Sequence, residues 1–145
     1  MPTRPRCKGC GGSGFRWGME AAYDGDTKYP CTYCKGTGVD LPTVVCLCGS
    51  TRFIDAFNEA RKTETLAGKI VLSIEIVTTQ SREHDPQFVN PEVKAMLDEL
   101  HLRKIDLADE VLILNVGGYI GESTSRELAY AKEHGKVIRY LETAK

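Results

Sequence analysis

The sequence predicts an α/β fold: a small parallel sheet of about four strands with flanking helices, preceded by a small cysteine-stapled β module. Three observations carry that expectation. Two Cys-x-x-Cys pairs fall within the first 34 residues. From Val44 onward, short apolar runs alternate with stretches of helical period. Residues 108–131, ADEVLILNVGGYIGESTSRELAYA, read as a buried strand, a Gly-rich turn and a helix start.

The chain's 145 residues suit one compact domain plus a small module. With 41% hydrophobic and 27% charged residues, a real core is available. The net charge of −1 gives no global footprint for nucleic acid or an anionic membrane. No apolar run approaches the roughly 18 residues that span a bilayer. The N-terminus lacks an apolar stretch after its basic residues, so no secretory signal is expected and a cytoplasmic location is the default.

Residues 1–40 hold eight of the fourteen glycines, four of the six cysteines and the only tryptophan. Such a segment buries too little apolar surface to fold without a staple. Cys7-Lys-Gly-Cys10 and Cys31-Thr-Tyr-Cys34 supply one, with 20 residues between Cys10 and Cys31. Paired Cys-x-x-Cys in a chain without a signal peptide reads as metal binding before disulfides. Two such knuckles complete a tetrahedral four-sulfur site with no open position, hence one structural Zn²⁺ per chain. A hairpin of Phe15–Trp17 with Ala21–Tyr23 is expected between the knuckles, with Trp17 covering the small core under the metal. Six Lys/Arg against four Asp/Glu, offset by four thiolates and one Zn²⁺, leave no positive surplus for nucleic acid.

The repeated Cys-x-x-Cys-x-Gly-x-Gly unit resembles the cysteine-rich zinc domain of the DnaJ chaperones. Those carry four units around two metals; this chain has two, enough for one. The resemblance implies the zinc fold, not chaperone work.

Asp40-Leu-Pro-Thr43 reads as the joint, because Pro42 forbids a helix running through it. The boundaries expected are 1–40 for the zinc module and 41–145 for a Rossmann-like nucleotide-binding domain. Val44–Cys48 is a fully buried first strand with Cys46 and Cys48 on one face, expected to act as small hydrophobes. Gly49-Ser50-Thr51-Arg52 follows at a helix N-terminus, above the sheet edge where such folds bind ligands. Arg52 opposes the helix dipole there, which a phosphate or carboxylate partner would resolve. Lys69–Ser73 is the second strand, and residues 75–90 are a long loop holding His84 and Asp85. A helix starts at Asn90-Pro91-Glu92, with Val93, Met96, Leu97, Leu100 and Leu107 as its apolar stripe and His101 on its surface. Val111–Leu114 is the third strand. Ser123 is the expected N-cap of the last helix, putting Glu127 in its first turn. Gly135 ends that helix, and Val137–Leu141 is the last strand.

Cys48-Gly-Ser-Thr-Arg52 and Thr124-Ser-Arg-Glu127-Leu-Ala-Tyr-Ala131 together resemble the nucleoside 2-deoxyribosyltransferase superfamily, including the 2′-deoxynucleoside 5′-phosphate N-glycosidases. The likeness covers roughly residues 44–141. Thr124 and Ala131 match the family's helix-start pattern, Ser123 and Ala129 stand where it has glycines, and Glu127 falls on its nucleophile. The resemblance implies that Glu127 attacks the anomeric carbon of a nucleotide sugar, giving a covalent intermediate finished by water or a second base. It also implies that Ser50, Arg52, Ser123 and Thr124 hold a 5′-phosphate, with Gly49, Thr51, Gly118, Tyr119 and Gly121 completing the substrate site. The family's base-handling acid corresponds to Asp85, Glu75 or Glu122. A homo-oligomer, with a dimer favoured, is a further expectation of the resemblance. Two other function classes fit the same residues: a non-catalytic nucleotide-binding or sensing module, and an adaptor that docks a partner through its zinc unit.

Overall fold

The computed structural model describes residues 4–17, 28–75 and 91–143. The chain divides into two compact units, Met1–Pro42 and Thr43–Lys145. Among the described residues the second contains three α-helices and a four-stranded sheet; the first is built around sulfur.

In the N-terminal unit, β1 (Phe15–Trp17) pairs antiparallel with β2 (Lys28–Pro30), with Arg16 opposite Tyr29. The partner strand is therefore Lys28–Pro30, and Ala21–Tyr23 lies outside the described residues. Trp17 is 59% exposed with the Lys28 ammonium 4.9 Å from its ring centre, so it does not roof the core. That core consists of Cys7, Cys31 and Cys34, with Cys10 partly buried against them. Among the described residues of this unit aliphatic side chains are few, and the sulfurs fill the interior.

The C-terminal unit runs β3 (Val44–Gly49), α1 (Ile54–Leu66), β4 (Ile70–Leu72), α2 (Pro91–Leu107), β5 (Glu110–Leu114), α3 (Glu122–Glu133) and β6 (Val137–Tyr140). The four strands form one parallel sheet in the order β4-β3-β5-β6. This is the architecture the alternating apolar and helical runs predict. Alternation along the strands sends successive side chains to opposite faces. Val45, Leu47, Leu112 and Leu114 pack with Phe57 and Ala60 of α1 on one face. Cys46, Cys48, Val111 and Ile113 pack with Ile105 of α2, Ala108 and Ala131 of α3 on the other. Burying Phe57 completely is worth about 1.5–3 kcal/mol.

Two expectations about helices need correction. Met96, Leu100 and Leu107 are 58%, 48% and 64% exposed, whereas His101 and Ile105 are the buried residues of α2. The helix is rotated from the phase its aliphatic residues suggest, because a polar imidazole occupies the inner face. The N-cap of α3 is Gly121, not Ser123, so no side chain caps this helix start. Glu127 consequently lies in the second turn, beyond the free N–H groups of the helix start.

A charged cluster ties the strands at the sheet's other edge. Lys69 Nζ bonds Glu64 at 2.9 Å and also reaches Glu110. The Arg139 guanidinium meets the same two carboxylates at 2.7 Å each. Asp109 Oδ2 accepts the Val44 N–H at 2.8 Å, fixing the start of β3. Asp109, just before β5, thus serves the edge opposite the loops.

Candidate functional site

The carboxyl ends of β3 and β5 are neighbours in the sheet, with Gly49 opposite Leu114. The chain leaves both strands through turns, so two loops far apart in sequence stand side by side. Ser50 caps the 3₁₀ turn Thr51–Phe53, its hydroxyl 3.5 Å from the Arg52 N–H. After β5, the turn Val116–Gly118 leads through Tyr119 to Gly121 and α3. The Arg52 guanidinium lies 4.6 Å from the centre of the Tyr119 ring, and Phe53 meets the same ring edge-on at 5.8 Å. Arg52, misplaced against its own helix dipole, has an aromatic partner on the other loop.

These loops border a cavity of about 670 Å³. Gly49, Ser50, Thr51 and Arg52 line one part; Tyr119, Gly121, Glu122, Ser123, Thr124 and Glu127 line another. Of the sequence-predicted substrate set, Gly118 alone is not among the lining residues. Glu75 and Glu122, two of the three acids considered for base handling, border the cavity, and Asp85 lies outside the described residues. The remaining wall comes from α2, including Lys94, Asp98, His101 and Lys104. A volume of that size suits a ligand of nucleotide dimensions.

Glu127 is largely buried, and its Oε2 has no hydrogen-bond partner among the described residues. Burial pushes its carboxyl above the usual carboxylate range, while the nearby His101 charge acts the other way. His101 Nε2 lies 3.9 Å from that oxygen, 3.3 Å from Cys48 Sγ and 3.8 Å from Cys46 Sγ. The expectation of a surface histidine is overturned: His101 is 5% exposed and points to the sheet. Cys46 and Cys48 are fully buried, as their strand predicts, but they face polar groups as well as apolar ones. Contact with Cys48, and then with His101, brings the Cys46 thiol down to about 6. Sequence reasoning missed this cluster because its members come from β3, α2 and α3. The available signal was Cys-x-Cys in a strand, which puts both sulfurs on one face.

The N-terminal unit gathers its own group. Cys7, Cys10, Cys31 and Cys34 place their four sulfurs within 4.8 Å of one another. Cys7 Sγ is 3.9 Å from Cys31 Sγ and Cys10 Sγ is 3.7 Å from Cys34 Sγ. A disulfide needs about 2.05 Å, so these are free thiols. A tetrahedron with Zn–S bonds of about 2.3 Å has edges of about 3.8 Å, which these distances match. The amides of Gly14 and Gly38 donate to Cys10 and Cys34 sulfur, each at 3.2 Å. Burial alone would raise the Cys10 thiol, but the Gly14 and Gly12 amides outweigh it and bring it to about 6. The donor set fits a four-sulfur metal centre.

No family model matches the chain, and no curated protein does. Among solved structures, one that matches is a 2-deoxyribosyltransferase from the psychrotolerant bacterium Bacillus psychrosaccharolyticus. The TM-score is 0.51 at 16% identity, over 71% of this chain and 77% of that one. The fold is similar to a deoxyribosyltransferase's. At that identity the likeness concerns backbone architecture, and the chemistry must be argued from the cavity itself. No described helix is long and apolar enough to cross a membrane.

Proposed function

We propose that the C-terminal unit is a nucleotide N-glycosidase or deoxyribosyltransferase acting on a (deoxy)nucleoside 5′-monophosphate, with Glu127 as nucleophile. The observation that carries the reading is a buried carboxyl on the wall of a cavity that also holds Ser50, Arg52 and the start of α3. A phosphate bound by Arg52, the Ser50, Ser123 and Thr124 hydroxyls and the first amides of α3 would anchor one end of the substrate. Glu127, a turn and a half along the same helix, then stands away from the phosphate, where the sugar of an anchored nucleotide belongs. The deoxyribosyltransferase-like fold supports the same reaction class.

The chemistry asks little more of the residues. A carboxylate attacks the anomeric carbon, the glycosidic bond to the base breaks, and a glycosyl ester forms. Water attacking that ester gives hydrolysis; a second base gives transfer. Partial desolvation suits the nucleophile, because a carboxylate stripped of water is more reactive. Zn²⁺ in the four-cysteine unit is proposed as structural, since four protein sulfurs leave no position for substrate.

The test incubates the full chain with a panel of deoxynucleoside 5′-monophosphates and follows free base by chromatography. Base release is expected from the wild type and lost in Glu127→Gln, a change that keeps the side-chain shape. Ligand binding without base release from any member would instead favour a nucleotide-sensing module.

A further inference from the structure

We propose that Cys46, Cys48 and His101 form a second metal site, taking a borderline divalent cation such as Zn²⁺ inside the C-terminal unit. The three donor atoms lie within 4.8 Å of one another, and all three residues are buried. Two come from alternate positions of β3, on the sheet face that packs against α2 and α3, and the third from α2, so the sheet and a helix jointly fix them.

The geometry asks for something between these groups. Cys46 Sγ, Cys48 Sγ and Glu127 Oε2 all converge on one ring nitrogen, at 3.8, 3.3 and 3.9 Å. A proton on that nitrogen satisfies one partner, whereas a cation among the donors can serve several. The Glu127 carboxyl, which Cys48 also contacts, stands beside the two sulfurs and the imidazole, so the group is a buried polar cluster rather than part of an apolar core.

The spacing is that of a metal shell. Zn–S bonds of about 2.3 Å and Zn–N bonds of about 2.0–2.1 Å in a tetrahedron place sulfur and nitrogen roughly 3.5 Å apart. The two observed separations, 3.3 and 3.8 Å, bracket that value. Thiolate and imidazole donors are the mixed soft and borderline set that selects zinc over magnesium or calcium. A dication with two thiolates and a neutral imidazole sums to zero charge, which a buried site can hold. Three protein ligands leave a fourth position, and the Glu127 carboxyl borders the group on the cavity side.

The site is distinct from the four-cysteine centre, so metal stoichiometry decides. The full-length protein, freed of loosely held metal, is expected to contain two zinc ions per chain by mass spectrometry. Cys7→Ser/Cys10→Ser should keep one, and Cys46→Ser/Cys48→Ser should also keep one. Titrated with Co²⁺ alone, the wild type should show thiolate-to-cobalt charge transfer growing to the second equivalent. In His101→Ala that growth should stop at the first. A wild type that saturates at one equivalent, retained in Cys46→Ser/Cys48→Ser, would overturn the proposal, as would a second equivalent that survives that double substitution. Neither measurement uses a nucleotide, so its failure is separate from failure of the glycosidase reading.

Discussion

The Arg52 guanidinium rests 4.6 Å from the centre of the Tyr119 ring, joining the loop after β3 to the loop after β5 across 67 positions of sequence. That pairing holds a cation at the cavity mouth without a carboxylate neutralising it. Arg52 makes no ion pair among the described residues, so its charge remains for a ligand.

Replacing Arg52 with alanine should therefore weaken a monophosphate ligand selectively. One charge-assisted hydrogen bond is worth about 1.5–3 kcal/mol, so the Kd for a deoxynucleoside 5′-monophosphate should rise roughly 10- to 100-fold. Binding of the matching nucleoside, which has no phosphate, should change little. Calorimetry on both ligands checks this, and an equal loss for the two would remove Arg52 from the phosphate site.

The cluster of Glu64, Lys69, Glu110 and Arg139 predicts a pH-dependent contribution to stability. Burial alone would raise the Glu64 carboxyl, but hydrogen bonds from Arg139 and Lys69 outweigh it and hold the group below its ordinary value of 4.5. A depressed carboxylate stabilises the fold above its unfolded pKa and loses that contribution as pH falls through the folded one. Glu64→Gln should cost about 1–3 kcal/mol at pH 7. Its gap from the wild type should narrow below about pH 4. Denaturant unfolding followed by far-UV circular dichroism reads this out, because all the described α-helices belong to the C-terminal unit. Curves that stay parallel down to pH 3 would show that Glu64 does not titrate with folding.

What the sequence revealed and what it hid divide along physical lines. The strands were legible because buried parallel strands are short apolar runs, and the cavity's two loops because strand-to-helix turns after neighbouring strands meet at one sheet edge. The rotation of α2 was not, because hydrophobic period points Met96 and Leu100 inward, while burial of His101 depends on Cys46, Cys48 and Glu127 from other elements. The cap of α3 was misplaced for a local reason: Ser123 is the better capping side chain, but the turn from Tyr119 delivers the backbone at Gly121. Arg52 could be recognised as unpaired in sequence, yet its aromatic partner is a long-range contact that no local pattern carries.

A Zn²⁺ held as proposed by Cys7, Cys10, Cys31 and Cys34 should, when chelated away, take the fold of the N-terminal unit with it and leave the parallel sheet in place. Among the described residues the Cys7, Cys31 and Cys34 side chains are its buried core, so little apolar burial holds it once the sulfurs repel one another. Trp17 is the chain's only tryptophan and belongs to this unit. Its fluorescence should shift on adding a strong chelator, with far-UV ellipticity nearly constant. Concurrent loss of both signals would show that the two units do not unfold independently.

The two knuckles of that unit repeat one another closely enough to predict which glycines are replaceable. Gly14 and Gly38 occupy matching places, with φ of +80° and +76°. A Cβ added at either would stand 2.4 Å from a carbonyl oxygen of the opposite knuckle, Gly36 O in one case and Gly12 O in the other. Neither oxygen can retreat, because each belongs to the backbone beside a cysteine knuckle. Gly11 also has a positive φ, +63°, but nothing lies within 4 Å of its added Cβ. Its counterpart one residue after Cys34 is Lys35, which keeps a side chain at φ +50°. Gly11→Lys should thus cost only the left-handed backbone penalty of about 1–2 kcal/mol. Gly14→Ala and Gly38→Ala should lose far more, since they force apart the amides that donate to Cys10 and Cys34. Zinc retention under competition with a chromogenic chelator ranks the three, and equal retention would mean that the knuckles tolerate side chains at their contact.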